Sequence, residues 1–278
     1  AGLFARLEAM GHHPAVLIRG YRARRREPGD EACELVELTN SQRVVQGRDR
    51  VASGEQAIER LGADVLLLDD GFQHRRLHRD LDIVLIDCTN PFGYGHLLPR
   101  GLLREPISSL MRADLLVLTR ADLVGAEGLK SLHSEMAALA PGKPVIEARH
   151  RPVGLEALNA PAPELRGGLS GRAVVCFAGI GNAEAFRATA VSLGSNVVAC
   201  RWWPDHHRYQ PADAAELCQL ADRCGAEVLL TSYKDLLKLR RLRVDWTRPV
   251  LALRIGIDLR PDGDTILTGL LRQVLGHG

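Results

Sequence analysis

Short, uninterrupted runs of Val, Ile and Leu recur along the chain, and they limit the folds that it can adopt. Most have four or five residues and do not alternate with polar side chains, which is typical of parallel strands covered on both faces. Together with similar segments further along the chain, they predict strands at residues 14–18, 65–68, 83–86, 115–118, 144–148, 173–177, 196–201, 227–231 and 250–254. Helical segments lie between several of them, for example at 53–61. This alternation predicts an α/β protein with a mostly parallel sheet and helices on both faces.

The apolar periodicity is lost between residues 154 and 171, where Pro and Gly accumulate. Such a stretch is typical of a domain boundary. We therefore predict a larger α/β domain over residues 1–153, a linker over 154–171 and a smaller α/β domain over 172–278.

The composition limits which kinds of partner and which cellular compartment fit this chain. The net charge of +2 gives no electrostatic reason to expect a nucleic-acid partner. The six cysteines form no C-x-x-C pair and lie mostly in apolar stretches, which favours free thiols in a reducing cytoplasm. No apolar run approaches the ~18 residues of a membrane-spanning helix, and no signal peptide opens the chain.

The run at residues 65–68 ends in two acids, Asp69 and Asp70, followed by Gly71. An acid at the carboxyl end of a parallel strand is the Walker B pattern, in which a carboxylate holds Mg²⁺ or its water shell beside nucleotide phosphates. A single Asp here would often only cap the next turn. Two consecutive acids followed by Gly-Phe-Gln-His favour the nucleotide site.

A loop rich in Gly and Pro over residues 93–106 places Arg104 beside Glu105. A guanidinium suits phosphate oxygens, and a carboxylate suits a metal or a hydroxyl. The alternative is a structural turn closed by a surface ion pair.

Two further polar motifs contain candidates for proton transfer. Asp30 follows an arginine-rich stretch at residues 22–26, which is either a solvated loop or a contact for phosphate or anionic lipid. Asp205, His206 and His207 follow a predicted strand in the second half. A carboxylate such as Asp30 can act as a base toward a hydroxyl, and a histidine can orient it.

In their order along the chain, these motifs resemble the tetraacyldisaccharide 4′-kinase (lipid A 4′-kinase) family. The matching motifs, found between about residues 11 and 240, are Arg19-Gly20-Tyr21, Gly29-Asp30-Glu31, Gly47-Arg48-Asp49-Arg50, Asp69-Asp70-Gly71-Phe72-Gln73-His74, Arg79-Asp80, Leu97-Leu98-Pro99, Leu103-Arg104-Glu105-Pro106, Ala113-Asp114, Phe177-Ala178-Gly179-Ile180-Gly181-Asn182, Asp205-His206-His207-Arg208-Tyr209 and Lys234-Asp235. The resemblance implies a P-loop-type kinase core followed by a C-terminal α/β domain. It further implies phosphorylation of the 4′-hydroxyl of a tetraacylated glucosamine disaccharide, a lipid A precursor, with ATP and Mg²⁺, by a peripheral protein at the cytoplasmic face of the bacterial inner membrane.

The resemblance also assigns roles to individual residues. Asp30 matches the family's catalytic base, and His206 matches the histidine paired with it. Asp69 and Asp70 match the Walker B acids. The remaining candidates are Glu105 as a further metal-site residue and, for substrate or phosphate binding, Arg48, Gln73, His74 and Arg104.

The chain departs from the family pattern at its start. Family members carry a Gly-rich loop ending in Gly-Lys-Thr or Gly-Lys-Ser before the first helix, and a membrane-associating helix upstream of that loop. Here the chain starts at Ala1 inside a predicted helix, and its first lysine is Lys130. That loop surrounds the phosphates with N–H groups and supplies a lysine charge and a hydroxyl for Mg²⁺. We therefore expect the 278-residue polypeptide to be a fragment with little kinase activity.

Three alternatives remain open at this point. Residues 118–122 faintly resemble the base-recognition motif of GTPases, which favours another P-loop NTPase. A protein that keeps the site but has no catalytic activity would bind nucleotide or lipid. The Asp205–His207 motif invites a metal-dependent phosphoesterase, although the chain lacks the additional Asp and His clusters of such centres.

Overall fold

A computed structural model describes residues 1–20, 30–165 and 167–276. The helices are α1 Gly2–Ala9, α2 Asp30–Thr39, α3 Arg50–Leu61, α4 Ala126–Leu139, α5 Ala183–Ser192, α6 Pro211–Cys224, α7 Tyr233–Leu239 and α8 Pro261–Leu275. The strands are β1 Pro14–Ile18, β2 Val44–Gln46, β3 Val65–Leu68, β4 Ile83–Asp87, β5 Leu115–Thr119, β6 Val145–Ala157, β7 Ala173–Ala178, β8 Asn196–Trp202, β9 Val228–Ser232 and β10 Val250–Leu259. The predicted α/β class is confirmed, and each predicted strand is present. Most ends shift little, but β6 and β10 extend well beyond their predicted ends.

The chain packs as two compact units that do not follow its order. The first unit contains residues 1–48, 56–67 and 152–256. The second contains residues 49–55, 68–151 and 257–278. The division at 1–153, 154–171 and 172–278 stays a prediction about domains, but β6 continues to Ala157, inside the stretch predicted to be a linker.

The first unit contains two groups of neighbouring strands. The smaller sheet has the order β2-β1-β3, and every residue of β1 is buried. Phe4 of α1 packs against Val16 and Ile18 of β1 in one apolar cluster. The larger group has the order β10-β9-β7-β8 with parallel pairing throughout. Buried, β-branched runs therefore become strands covered by helices.

Aromatic side chains fill the core beside the larger group of strands. Phe177 meets Trp203 and Tyr209 edge to face, with ring centroids 6.4 and 6.1 Å apart. Helix α6 covers this cluster with Leu217, and its start is fixed by a proline in the first turn and a capping box. Leu38 of α2 packs against the same core, so α2 is held to this part of the unit by apolar contact.

A buried carboxylate ties α7 to the strand ends. Asp235 is fully buried and accepts hydrogen bonds from the Gly179 N–H (2.9 Å), the Ser232 hydroxyl (2.8 Å) and the Lys238 ammonium (2.9 Å). These donors come from the end of β7, the end of β9 and the next turn of α7. A buried charge is tolerated when it is paired and hydrogen-bonded in this way.

The second unit has β4, β5 and the start of β6 as neighbouring parallel strands. Leu129, Leu132 and Met136 of α4 are buried in one cluster, while Leu267 of α8 joins another. β4 lies at the end of the strand order, and Leu85 in it is 61% exposed. The interpretation of residues 83–86 as a strand covered on both faces is therefore wrong, because the face of β4 that carries Leu85 is open to solvent.

Replacing Asp235 by Ala should lower the free energy of unfolding by about 3–5 kcal/mol, because it leaves the ammonium of Lys238 without its buried partner. Urea unfolding followed by circular dichroism measures this loss. The control is Glu184→Gln, which breaks the exposed Glu184–Arg187 pair and should change the free energy by less than about 1 kcal/mol. Equal effects of the two substitutions would contradict the assigned role of Asp235.

Candidate functional site

The two consecutive acids form a sharp turn after β3. Asp70 has a φ of +53°, in the left-handed region that few residues adopt without support. At Gly71, an added Cβ would lie 2.6 Å from the Cβ of Leu68. Glycine is therefore required for the chain to fold back over the end of the strand, and the turn fixes where both acids lie.

Arg50 ties this turn to the start of α3. Its side chain is buried, and its Nη2 donates to the backbone carbonyl of Asp69 at 2.9 Å. The carboxylate of Asp49 caps the helix by accepting from the N–H of Val51 at 3.0 Å. A buried guanidinium thus lies directly behind the acidic turn.

The electrostatic environments of the two acids differ. Desolvation by surrounding protein, followed by the negative charge of Asp70, raises the pKa of Asp69, although Asp69 is exposed as a residue and Arg50 opposes the shift. Asp70 instead accepts two hydrogen bonds from Arg104, at 2.6 and 2.5 Å. This bidentate pairing raises the pKa of Arg104. A cation beside Asp69 would relieve the repulsion between the two carboxylates.

Glu105, next to Arg104, is held by two other arginines. Its Oε2 lies 2.7 Å from Nη2 of Arg112 and 3.7 Å from Nη2 of Arg75. Burial alone would raise the pKa of Glu105, but hydrogen bonds from Arg112 and Ser109 outweigh it and keep that pKa below its ordinary value. Glu105 therefore stays ionised and fixes the guanidinium groups around it.

The segment after the acidic turn is braced by backbone contacts. The N–H of His74 donates to the carbonyl of Gly71 at 2.9 Å, and the His74 carbonyl accepts from Nη1 of Arg79 at 2.7 Å. Arg79 is in turn paired with Asp82 through two hydrogen bonds of 2.6 and 3.0 Å. His74 is half-buried and Gln73 is exposed, so the side chain of Gln73 projects from a fixed backbone.

In the first unit, His206 adopts an unusual backbone conformation with a φ of +63°. Its N–H donates to Oδ1 of Asp205 at 2.9 Å, and the same oxygen accepts from the ammonium of Lys234 at 3.0 Å. Burial alone would raise the pKa of Asp205, but Lys234 and His206 together lower it. On the other side, His207 stacks on Trp203 with ring centroids 5.2 Å apart. His206 is thus held between two anchored neighbours.

Asp30 is the first residue of α2, but its side chain lies outside the described residues. The arginine-rich stretch at 22–26 and Gly29 lie outside them too. Just beyond α7, Arg240 lies 3.5 Å from Glu37 of α2, and Arg241 donates to the Sγ of Cys33 at 3.1 Å. Since Lys234 belongs to α7, the turn of His206 and helix α2 are both attached to that helix. Arg48 is exposed in the loop between β2 and α3.

The structure brings some predicted residues together and shows partners that the sequence reasoning did not select. Asp70 and Arg104 form a pair, and Glu105 follows Arg104 directly. The missed partners are Arg50, Arg75, Arg112, Asp205 and Lys234. Three of them lie within the motifs that match the family, namely Arg50, Asp205 and Lys234, so their place in those motifs could have identified them. Arg75 and Arg112 stand outside them and were found only through tertiary contact.

A magnesium ion fits the acidic turn by its chemistry. Mg²⁺ usually binds one or two carboxylates and completes its shell with water and substrate phosphates, so it needs no protein cage. Within residues 1–20, 30–165 and 167–276, no group of three or more His, Cys, Asp or Glu side chains could hold a metal. The adjacent carboxylates of Asp69 and Asp70 supply the one or two ligands that Mg²⁺ requires.

Comparisons with known proteins give a consistent result. The family model described as "LpxK: Tetraacyldisaccharide-1-P 4'-kinase" matches residues 1–274. A protein of Anaeromyxobacter sp. (strain Fw109-5) named tetraacyldisaccharide 4′-kinase is 40% identical, over 99% of this chain and 77% of its own length. One of the same name from Syntrophus aciditrophicus (strain SB) is 40% identical over 85% of this chain and 70% of its own length. The crystal structure of the "apo" form of LpxK from Aquifex aeolicus in complex with ATP superposes with a TM-score of 0.70 at 27% identity, covering 98% of this chain and 82% of that one.

Replacing Asp69 by Asn should raise the thermal midpoint by about 1–3 °C at neutral pH, because the amide carries no charge to be desolvated or repelled by Asp70. The pKa of Asp69 in the folded chain lies above 3.8, so its ionised form disfavours folding. The penalty is complete above the folded pKa and disappears as the pH falls below 3.8.

Thermal melts of the Asp69→Asn variant and of the parent chain, from neutral pH down to below pH 3.8, measure the difference between their midpoints. Asp245→Asn, at an exposed position, should change the midpoint at no pH. A variant less stable than the parent chain at neutral pH would show that Asp69 stabilises the turn instead of straining it.

Proposed function

Because the chain belongs to the tetraacyldisaccharide-1-P 4′-kinase family, we propose that it transfers the γ-phosphoryl group of ATP to the 4′-hydroxyl of a tetraacylated glucosamine disaccharide 1-phosphate. The observation that carries the proposal is the pair of adjacent acids at the end of β3, in a chain that matches this family over residues 1–274. The relatives bear the name of this activity, and the structure from Aquifex aeolicus contains ATP. Among the alternatives, phosphoryl transfer to the disaccharide accounts both for the adjacent acids after β3 and for the family match.

Asp69 and Asp70 are the proposed holders of Mg²⁺. Glu105, the other acid predicted for the metal site, is proposed to act beside it by fixing Arg112 and Arg75 and not as a third ligand. When bound, the ion would neutralise charge that develops on the transferring phosphoryl group. The Asp69 carboxyl fits this role. Desolvation, followed by the negative charge of Asp70, raises its pKa, and a bound cation would relieve the repulsion from Asp70. Arg104, paired with Asp70, carries a fork of N–H donors that also fits phosphate oxygens.

Asp30 is the proposed base, and His206 is the histidine that orients it. In this role the Asp30 carboxylate accepts the proton of the 4′-hydroxyl as the oxygen attacks phosphorus. The backbone of His206 supports the assignment, since Asp205 and Lys234 hold it in a conformation that a free loop would rarely keep. Arg48, Gln73 and His74 complete the proposal as groups that bind substrate or phosphate.

The acceptor carries four acyl chains, so the reaction is proposed to take place at a lipid surface, with the protein bound peripherally to the cytoplasmic face of the inner membrane. No helix within the described residues is both long enough and apolar enough to cross a bilayer.

Phosphoryl transfer from radiolabelled ATP to the tetraacylated disaccharide 1-phosphate in detergent micelles tests the proposal. With the protein expressed from its own gene, Asp30→Asn should lower kcat by about 10²- to 10⁴-fold, the usual contribution of a general base. The KM for ATP should change little, because Asp30 is assigned to the acceptor. GTP added in excess should not compete with ATP.

The matched control is Asp245→Asn, an exposed aspartate in the same compact unit, which should retain full kcat. Absence of disaccharide phosphorylation by the unmodified protein would refute the proposed activity. Full kcat in the Asp30→Asn variant would refute only the assignment of the base. Competition by GTP would favour a GTPase-like protein.

A further inference from the structure

An apolar surface lies on the loop of residues 93–104, which we call the leucine loop. Four large side chains in it are exposed: Tyr94 at 75%, Leu97 at 46%, Leu98 at 57% and Leu102 at 60%. A single exposed leucine is ordinary in a soluble protein. Four such side chains within nine residues form a patch, and patches of this kind mark sites of interaction.

The leucine loop is folded on itself. Leu98 N–H donates to the carbonyl of Leu103 at 2.8 Å, and Leu102 N–H donates to that of Gly93 at 2.9 Å. Gly101 lets the two sides approach, since a Cβ there would lie 2.2 Å from the carbonyl oxygen of His96. These backbone groups are satisfied inside the loop, so they would not lose hydrogen bonds to water if the loop entered an apolar environment.

The charge on the leucine loop is positive. Its charged residues are Arg100 and Arg104, and it contains no acid. Arg104 is paired with Asp70, whereas Arg100 is exposed among the leucines. Arg75, 66% exposed on its side chain, lies beside the loop through its contact with Glu105. The exposed apolar side chains of the loop, with arginines next to them, complement a layer whose interior is apolar and whose surface is anionic.

We propose that the leucine loop is a membrane-contact surface, which places Leu98 and Leu102 among acyl chains, Tyr94 at the headgroup level and Arg100 against lipid phosphates. Tyrosine and arginine favour the interface, because each combines an apolar body with a polar end. The inference deepens the proposed function, since an acceptor with four acyl chains resides in a lipid layer. It identifies the loop through which the protein reaches that layer.

Binding of the 278-residue chain to sucrose-loaded vesicles, measured by sedimentation, tests the proposal. The vesicles contain phosphatidylethanolamine with about one quarter phosphatidylglycerol, and neither ATP nor acceptor is present. The double variant Leu98→Gln/Leu102→Gln should bind about tenfold more weakly, because two apolar side chains no longer enter the lipid. Arg100→Gln should weaken binding about fivefold at low salt and much less at high salt.

The matched control is Leu123→Gln, since Leu123 is 53% exposed and belongs to the same compact unit; its binding should equal that of the parent chain. Circular dichroism melts confirm that each variant is folded. Tyr94→Asn provides a second probe, because Asn tolerates the φ of +70° at this position. It too should bind more weakly.

Three results would overturn the proposal. The first is that vesicle binding does not differ between the parent chain and the loop variants, whether all of them bind or none does. The second is a change in sedimentation velocity of the loop variants with unchanged vesicle binding, which would assign the loop to contact between copies of the chain. The third is binding only to vesicles that contain the acceptor, which would assign it to the substrate's acyl chains. Since the assay needs no phosphoryl transfer, its failure differs from failure of the proposed kinase activity.

Discussion

The structure around the end of β3 depends mainly on two neighbouring carboxylates. Asp69 and Asp70 repel each other, and the surrounding chain compensates from two sides. Arg50 fixes the backbone of the first acid, and Arg104 pairs with the side chain of the second. Gly71 permits the turn itself. The result is a fixed negative site with guanidinium groups beside it, which suits a cation together with phosphate.

The same principle organises the motif around His206. There the unusual backbone is held by Asp205, whose carboxylate accepts from both His206 and Lys234. Lys234 belongs to α7, which is itself fixed by the buried carboxylate of Asp235. In both places a polar side chain with a proposed chemical role rests on charged neighbours that keep its position.

Local sequence was sufficient for most strands because a buried strand needs only a short apolar run. β1 and β3 have the predicted ends, since each run is bounded by polar or turn-forming residues. β6 extended further than predicted, to Ala157. Its end lies beside β10, with Leu158 N–H donating to the carbonyl of Val250 at 2.9 Å. A partner so far along the chain leaves no mark on local composition, so residues 154–157 resembled a linker.

The candidate site was predictable in its residue types but not in its pairings. The acids after β3 and the Asp-His-His motif were visible in the sequence. That Arg104 would bind Asp70, and Arg112 would bind Glu105, depends on how the loop of residues 93–106 returns to the acidic turn. Pairings of this kind depend on tertiary structure, and the sequence shows only that the charges are present.

Binding of Mn²⁺ in place of Mg²⁺, followed by electron paramagnetic resonance in the presence of a non-hydrolysable ATP analogue, tests whether the acidic turn holds the metal ion. With the protein expressed from its own gene, the spectrum should report a protein-bound Mn²⁺–nucleotide complex that Asp69→Asn weakens strongly and Asp245→Asn leaves intact. An equally tight complex in the Asp69→Asn variant would show that the acidic turn does not hold the metal.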